Sequence, residues 1–278
     1  MKIIMTLLVR DEEDILRENI DFHLSQGVDF IIATDNNSVD STPDILKEYE
    51  RKGLLHYILE TEDNYYQKIW VTKMARMAYE TFEADWVINN DADEFWYSNN
   101  SNLKTDFAKI PKEVNVVEIE RTNFVPVCLN NSLFYKNMIY RLKSSTNSLG
   151  DPLPPKVAHR GIKDIVLSQG NHEVENIQQN LIKVNHIEIL HFPIRTYSQF
   201  TNKIIKGGAA YNRNPFLTKD IGSTWRKLYE EYKKENNLNE YFTSQLFDEE
   251  KIKIGLKDET LVKDLRLFDY MNSIYEKE

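Results

Sequence analysis

Residues 86–96 read WVINNDADEFW: an apolar run leaves through Asp91, Asp93 and Glu94 and returns at once to Phe95 and Trp96. Trp86, Val87 and Ile88 have the bulk and branching of a buried strand, so the acids stand where a strand leaves its core. A solvated acidic turn would have polar flanks, and these flanks are large and apolar. In extended chain, residues two apart point the same way, which lets Asp91 and Asp93 turn both carboxylates to one point.

Upstream the pattern alternates. Ile3–Val9 is β-rich, and residues 11–26 place Ile15, Leu16, Ile20, Phe22, His23 and Leu24 at helical spacing before Gly27 closes the run. Residues 30–34 make a second short strand, residues 43–52 a helix with Pro43 in its first turn and Gly53 behind it, and residues 54–59 a third strand. Residues 66–82 then form a long helix leading into the fourth strand at Trp86. Strands alternating with helices predict an α/β fold, a mostly parallel sheet flanked by helices.

Downstream the alternation stops. Residues 114–120 alternate like a strand, with residues 137–142 as the expected partner, and residues 144–155 read as a polar Gly/Pro loop. From residue 197 the chain turns helical and charged, residues 223–235 and 261–275 being the clearest amphipathic pieces. The expected division is a catalytic domain over residues 1–200 and a helical C-terminal extension, residues 201–278, packed on it.

In 278 residues the formal net charge is −9, which argues against a nucleic-acid partner, since phosphate neutralisation needs clustered Lys and Arg. Cys128 is the only cysteine, so no intrachain disulfide forms and a reducing cytoplasm is the expected setting. The apolar N-terminal run is short and acids follow it directly, which reads as a first strand rather than a leader. No stretch reaches the roughly 18 apolar residues a spanning helix needs, so membrane contact is expected to be peripheral at most.

Three strand ends carry acids. The first strand ends in Val9-Arg10-Asp11-Glu12, the second runs into TDNNSVDST at residues 34–42, and the fourth ends in the quoted run. Ligands of open α/β sheets sit outside the carboxyl ends of the strands, so these acids line one prospective pocket. Asp91 and Asp93 offer hard oxygen donors suited to Mg²⁺ or Mn²⁺ bound with a diphosphate. Asp35 can accept from a base N–H or a ribose hydroxyl, while Asn37 suits a left-handed turn. Asp40 has an equally good reading as a helix-start residue. An EF-hand is excluded, because its ligand repeat and glycine are missing.

Taken in order, VRDEEDIL, TDNNSVDSTPDIL and DWVINNDADEF, with His23 and Gly27 on the intervening helix, resemble the family 2 type of glycosyltransferase with a GT-A (Rossmann-like) fold. The likeness covers about residues 1–97 and is closest to the subgroup whose motifs read like V-R-N-E and D-N-G-S-x-D-x-T. It implies a nucleoside-diphosphate sugar as donor, with Asp35 at the nucleoside, Arg10 and Glu12 lining the pocket, and Asp91 and Asp93 as the Asp-x-Asp motif, Asp93 being the direct ligand of Mn²⁺ or Mg²⁺. Asp11 stands where the subgroup has Asn, Asn37 and Ser41 where it has Gly, which touches the turn geometry.

In the later half, His191 closes an apolar run at residues 187–190 and either completes an Asp/Asp/His metal set with Asp91 and Asp93 or serves as a hydrogen-bonding residue. Arg195 and Lys203 fall on one face of a helix starting near Thr196; Arg195 is expected to meet the diphosphate and Lys203 to be an ordinary surface cation. An inverting transfer needs a base to take the acceptor proton, and the resemblance makes Glu173 the nearest fit, with Asp151 and Asp220 as competitors. The Gln-x-x-Arg-Trp motif of processive synthases is absent, Trp225-Arg226 being no match.

The expected function is therefore a metal-dependent glycosyltransferase that moves one sugar to a glycan or lipid-linked saccharide. The alternative is a non-catalytic sugar-nucleotide or glycan-binding protein of the same fold. A phosphohydrolase using Asp-x-Asp fits less well, because Glu94 and Phe95 follow the second aspartate where that chemistry wants a small residue.

Overall fold

The computed structural model describes residues 1–128, 133–146, 152–178, 180–215 and 221–276. Its first third alternates as the sequence predicts: β1 (Ile3–Val9), α1 (Leu16–Ser25), β2 (Phe30–Asn36), α2 (Thr42–Arg51), β3 (Leu55–Glu60), α3 (Gln67–Glu80) and β4 (Trp86–Asp91). β1 lies parallel between β2 and β4, and β3 extends the sheet beyond β2. Register decides where a ligand can sit. Val9 pairs with Asp35 and Leu8 with Asp91, so the carboxyl ends of three strands stop at one level.

β1 is buried on both faces, as a central strand between helical layers must be. Ile3, Met5, Leu7 and Val9 join one apolar cluster with α1 and α2, while Ile4 joins the opposite cluster under α3. Gly27 ends the first helical unit at φ +94°, a left-handed conformation that favours glycine.

The chain then folds back through β5 (Glu94–Ser98), α4 (Leu103–Ala108), β6 (Val116–Ile119), β7 (Arg121–Asn123), α5 (Phe134–Asn137), β8 (Tyr140–Leu142), β9 (Lys156–Arg160), β10 (Leu181–Lys183) and β11 (Ile187–His191). The large sheet has the order β10-β6-β9-β4-β1-β2-β3, with β9 antiparallel to both neighbours. This is the expected α/β architecture of a mostly parallel sheet with helices on both faces. A second sheet, β5-β11-β7, stands across the end of β4 and holds His191 in register with Glu94 and Asn123.

The C-terminal part comprises α6 (Tyr197–Arg213), α7 (Ser223–Glu235), α8 (Asn239–Gln245), α9 (Glu249–Lys257), β12 (Leu261–Lys263) and α10 (Arg266–Tyr275). Residue 200 thus falls inside α6. Two expectations are corrected here. Residues 137–142 do not pair with β6; β8 pairs antiparallel with β12, and β6 pairs with β9 and β10. Residues 261–275 are not one helix, because the first three form that pairing strand. Asp264 then stops the strand and binds Arg141 and Arg266.

Candidate active site

The pocket lies at the carboxyl ends of β1, β2 and β4, a cavity of about 740 Å³ whose floor includes Arg10, Glu12, Asp91, Asp93 and His191. The acidic run is a tight exit turn: Asp91 ends β4, Ala92 and Asp93 form the turn, and Glu94 opens β5. Two residues of α1 hold that turn by its backbone. Asn19 Nδ2 donates to the carbonyls of Ala92 at 2.9 Å and Glu94 at 2.7 Å, and His23 Nε2 accepts the Trp96 N–H at 3.2 Å. His23 Nδ1 lies 2.7 Å from the Asn19 carbonyl, so both ring nitrogens are used. In the sequence His23 falls at the helical spacing of a core face and Asn19 carries no signal of its own, and nothing in the spacing marks either as a support of the turn.

Asp91 and Asp93 both reach the pocket but meet different partners. Asp91 Oδ2 accepts from Lys156 Nζ at 2.5 Å, and that lysine, only 1% exposed, also lies 3.4 Å from Glu94. Asp93 Oδ2 accepts from Lys203 Nζ at 2.6 Å, while Asp93 Oδ1 faces His191 Nε2 at 3.7 Å. Burial pushes Asp93 upward, but Lys203, then His191 and Arg195, outweigh it and hold the carboxyl well below the usual range. Asp93 therefore stays ionised. His191 is carried there by β11, and the Phe192 N–H donates to the Asp93 carbonyl at 2.8 Å.

A divalent ion fits this pair. His191 Nδ1 is 2.6 Å from Asn123 Oδ1; an amide oxygen only accepts, so Nδ1 carries a proton and Nε2 is the ring nitrogen turned toward Asp93, the one free to bind a metal when it carries no proton. Asp93 Oδ1 and His191 Nε2, 3.7 Å apart, are the two donor atoms that would share such an ion. Among the described residues no group of three His, Cys, Asp or Glu side chains converges to hold a metal, so Asp91 does not complete a ready-made set. The pair would need oxygens from a ligand or water to fill a coordination shell.

The two basic residues considered in the second half exchange places. Arg195 precedes α6, is 1% exposed and lies beneath the pocket. Its guanidinium donates to Glu12 at 2.5 Å, to Asp14 at 2.7 and 2.8 Å and to the Phe192 carbonyl at 3.0 Å. Four of its five N–H donors are held by the protein, and the residue does not line the pocket. Lys203, in the second turn of α6, lines the pocket between Asp93 and Glu12. Burial drives the Glu12 carboxyl upward, against the pull of Arg195 and Lys203.

Arg10 lines the pocket and donates to Asp63 at 2.5 Å; Asp63 in turn takes Arg213 from the end of α6. Asp11, at φ +52°, accepts from the Val39 N–H at 2.7 Å and from Asn202 at 3.0 Å, and pairs with Lys206. Burial pushes its pKa up, yet Lys206 and Val39 bring it below the ordinary value. Asp35 is fully buried, with its oxygens engaged by the Ser38 N–H at 3.0 Å and the Tyr57 hydroxyl at 3.1 Å. The neighbouring Asn36 lines the pocket. Glu173 is exposed beside Ser168 and does not line the pocket, because the Gly170-Asn171 turn directs Asn171 rather than Glu173 toward Asp91. Asp151 and Asp220 lie outside the described residues.

Several solved structures resemble the chain. S. aureus TarS 1–349 is 15% identical, with 83% of this chain and 71% of that one covered and a TM-score of 0.45. The same TarS segment in complex with UDP is 14% identical, with 90% and 77% covered and a TM-score of 0.44. Glucosyl-3-phosphoglycerate synthase from Mycobacterium tuberculosis is 17% identical over 43% of this chain and 44% of that one, with a TM-score of 0.32. No curated protein sequence matches significantly. The sequence profile of glycosyltransferase family 92 matches residues 5–253. The motifs quoted above resemble the family 2 type, whereas the profile running from β1 into α9 is that of another family in the same enzyme class. The chain belongs to glycosyltransferase family 92.

Proposed function

We propose that the chain transfers a single sugar from a nucleoside-diphosphate sugar to a hydroxyl of a glycan or lipid-linked saccharide, with inversion at the anomeric carbon. The observation that carries this reading is the facing pair Asp93 and His191, 3.7 Å apart at the carboxyl end of β4, with Lys203 beside it. The nucleoside lies over the ends of β1 and β2, against Arg10, Asn36 and Tyr65, and the diphosphate reaches toward Lys203. Asp93 and His191 hold the divalent ion, Mn²⁺ or Mg²⁺; bound there, it supplies positive charge to the diphosphate.

In the transfer the acceptor oxygen bonds to the anomeric carbon as the bond to the diphosphate breaks, and the acceptor proton passes to a pocket carboxylate. The leaving diphosphate gains negative charge. Lys203 is fixed by Asp93 and Glu12 and meets that charge without reorganising. Lys156 and Asn19 act on the carboxylates and the turn rather than on substrate. Asp91 keeps an open face to the pocket, its side chain 32% exposed, and is placed to meet hydroxyls of donor or acceptor.

The test is a thermal-shift screen of UDP, GDP and dTDP with and without Mn²⁺, followed by transfer assays with the sugar nucleotides of the base that binds. One nucleotide should raise Tm in the presence of Mn²⁺ and much less in its absence. At about 100 times Kd such binding adds roughly 2.7 kcal/mol. If no nucleoside diphosphate stabilises the protein, with or without metal, the donor assignment fails.

A further inference from the structure

The pocket continues past the Asp93–His191 pair, and the chemistry of its walls changes there. On the β1 and β2 side it is lined by Arg10, Asn36 and Gln67. On the other side, Phe124 and Val125 after β7 and Leu142 at the end of β8 face Trp225 and Leu228 of α7 and Phe247 after α8. The two halves of this wing are tied across by the Phe247 N–H donating to the Pro126 carbonyl at 2.9 Å. Its inner end is the site itself: Lys203 Nζ, bound to Asp93, is also 5.6 Å from the centre of the Trp225 ring. The helix is shaped for that ring. A Cβ on Gly207 would stand 2.6 Å from the Trp225 ring, so only glycine lets the indole lie flat on α6.

A subsite that bound only sugar would have to replace the water on each hydroxyl with a protein donor or acceptor, since unpaired polar groups are costly to bury. Among the described residues the polar side chains at this wing, Thr146, Thr224, Tyr241 and Gln245, are outnumbered by the apolar ones. Apolar walls instead gain by covering hydrocarbon. We infer that the wing takes a hydrocarbon chain attached to the acceptor saccharide, so that the acceptor is an alkyl-, acyl- or isoprenyl-linked sugar whose head group faces Asp93 and whose chain runs between Val125 and Trp225.

This inference rests on the transferase reading for its head-group end only, so its test reads binding rather than turnover. The full chain is titrated with n-octyl β-glucoside below its micellar concentration and with methyl β-glucoside, following tryptophan fluorescence and Tm. Trp225 is the reporter in the wing and its share of the signal is isolated by Trp225→Phe, since Trp86 and Trp96 are fully buried while Trp70 also lines the pocket. Octyl glucoside should bind saturably and at least tenfold more tightly than the methyl glycoside. The advantage should shrink toward onefold in Phe247→Ser, and most of the fluorescence response should be lost in Trp225→Phe. UDP, GDP and dTDP with Mn²⁺ are titrated into the same samples, and octyl glucoside should bind alongside the nucleotide that binds. Equal affinity of the two glycosides, an octyl response unchanged in Phe247→Ser, or mutual exclusion with the nucleotide would overturn the inference. Loss of nucleotide binding with the octyl preference intact would overturn the donor assignment and leave the apolar wing standing.

Discussion

His191 turns Nε2 to within 3.7 Å of Asp93 Oδ1 while its Nδ1 is held 2.6 Å from Asn123 Oδ1. The three residues come from β11, the β4–β5 turn and β7, and the parallel pairing of His191 with Asn123 sets the ring's orientation. Asn123 thus acts through the histidine. Asn123→Leu should weaken Mn²⁺-dependent nucleotide binding by about 10–100-fold, the usual cost of losing such a support. Asp93→Asn should abolish transfer in a protein that still melts cooperatively. Both are read from Mn²⁺ titrations of nucleotide binding with melting curves alongside. Unchanged Mn²⁺ affinity in His191→Gln would place the ion elsewhere.

Lys203 and Arg195 should separate chemistry from folding. Lys203 is 26% exposed at the pocket wall, and Lys203→Met should lower kcat by about 10²-fold while the fold persists, as expected for a charge that acts on a developing anion. Arg195 is buried against Glu12 and Asp14, and Arg195→Met strands both carboxylates. Breaking such a buried pair costs about 3–5 kcal/mol, so urea unfolding should shift strongly. A stable but inactive Arg195→Met protein would instead assign Arg195 to the reaction.

Glu173 is exposed and outside the pocket, so Glu173→Gln should leave kcat within about twofold of the parent, well short of the 10²–10⁴-fold a general base contributes. Steady-state rates at several pH values decide it. A loss of 10²-fold or more, with the alkaline shape of the profile altered, would restore Glu173 as the base.

What the sequence made legible was local. β1 to β4 could be read because period-2 and period-3.6 patterns alternate with glycine stops at Gly27 and Gly53, and three acidic strand exits then had to share one edge. Lys156 and Lys203 were hidden for a physical reason: a lysine's meaning depends on what closes over it. Lys156 lies in an ordinary-looking strand until β9 inserts antiparallel beside β4 and brings it under Asp91. The β8–β12 pairing joins residues more than a hundred positions apart, and no local period signals it. His23 reads as core because it is core, and Asn19 is buried beside it; their second task appears only when the 92–96 turn packs on α1.

That second task gives a pH dependence. Burial pushes His23 down to about 4, against the contact with the Asn19 carbonyl, which favours the charged ring. An unfolded chain titrates this histidine near its ordinary value of about 6.5. Its contribution to stability is thus fully present above about 6.5, and between there and about 4 the unfolded state binds a proton that the native state refuses, so stability falls as pH falls. Protonating Nε2 would also remove the acceptor of the Trp96 N–H and loosen the turn that carries Asp93. His159 and His172 are held near 4 as well, burial being the first cause in each, so the wild-type protein should lose stability steeply over this window. His23→Gln keeps a polar side chain but no titration, and its stability should fall less steeply by about one proton's worth across the same window. Urea midpoints at pH 7, 6, 5 and 4.5 measure both slopes. Identical slopes in parent and variant would mean that His23 is protonated in the folded protein and that the turn is held without it.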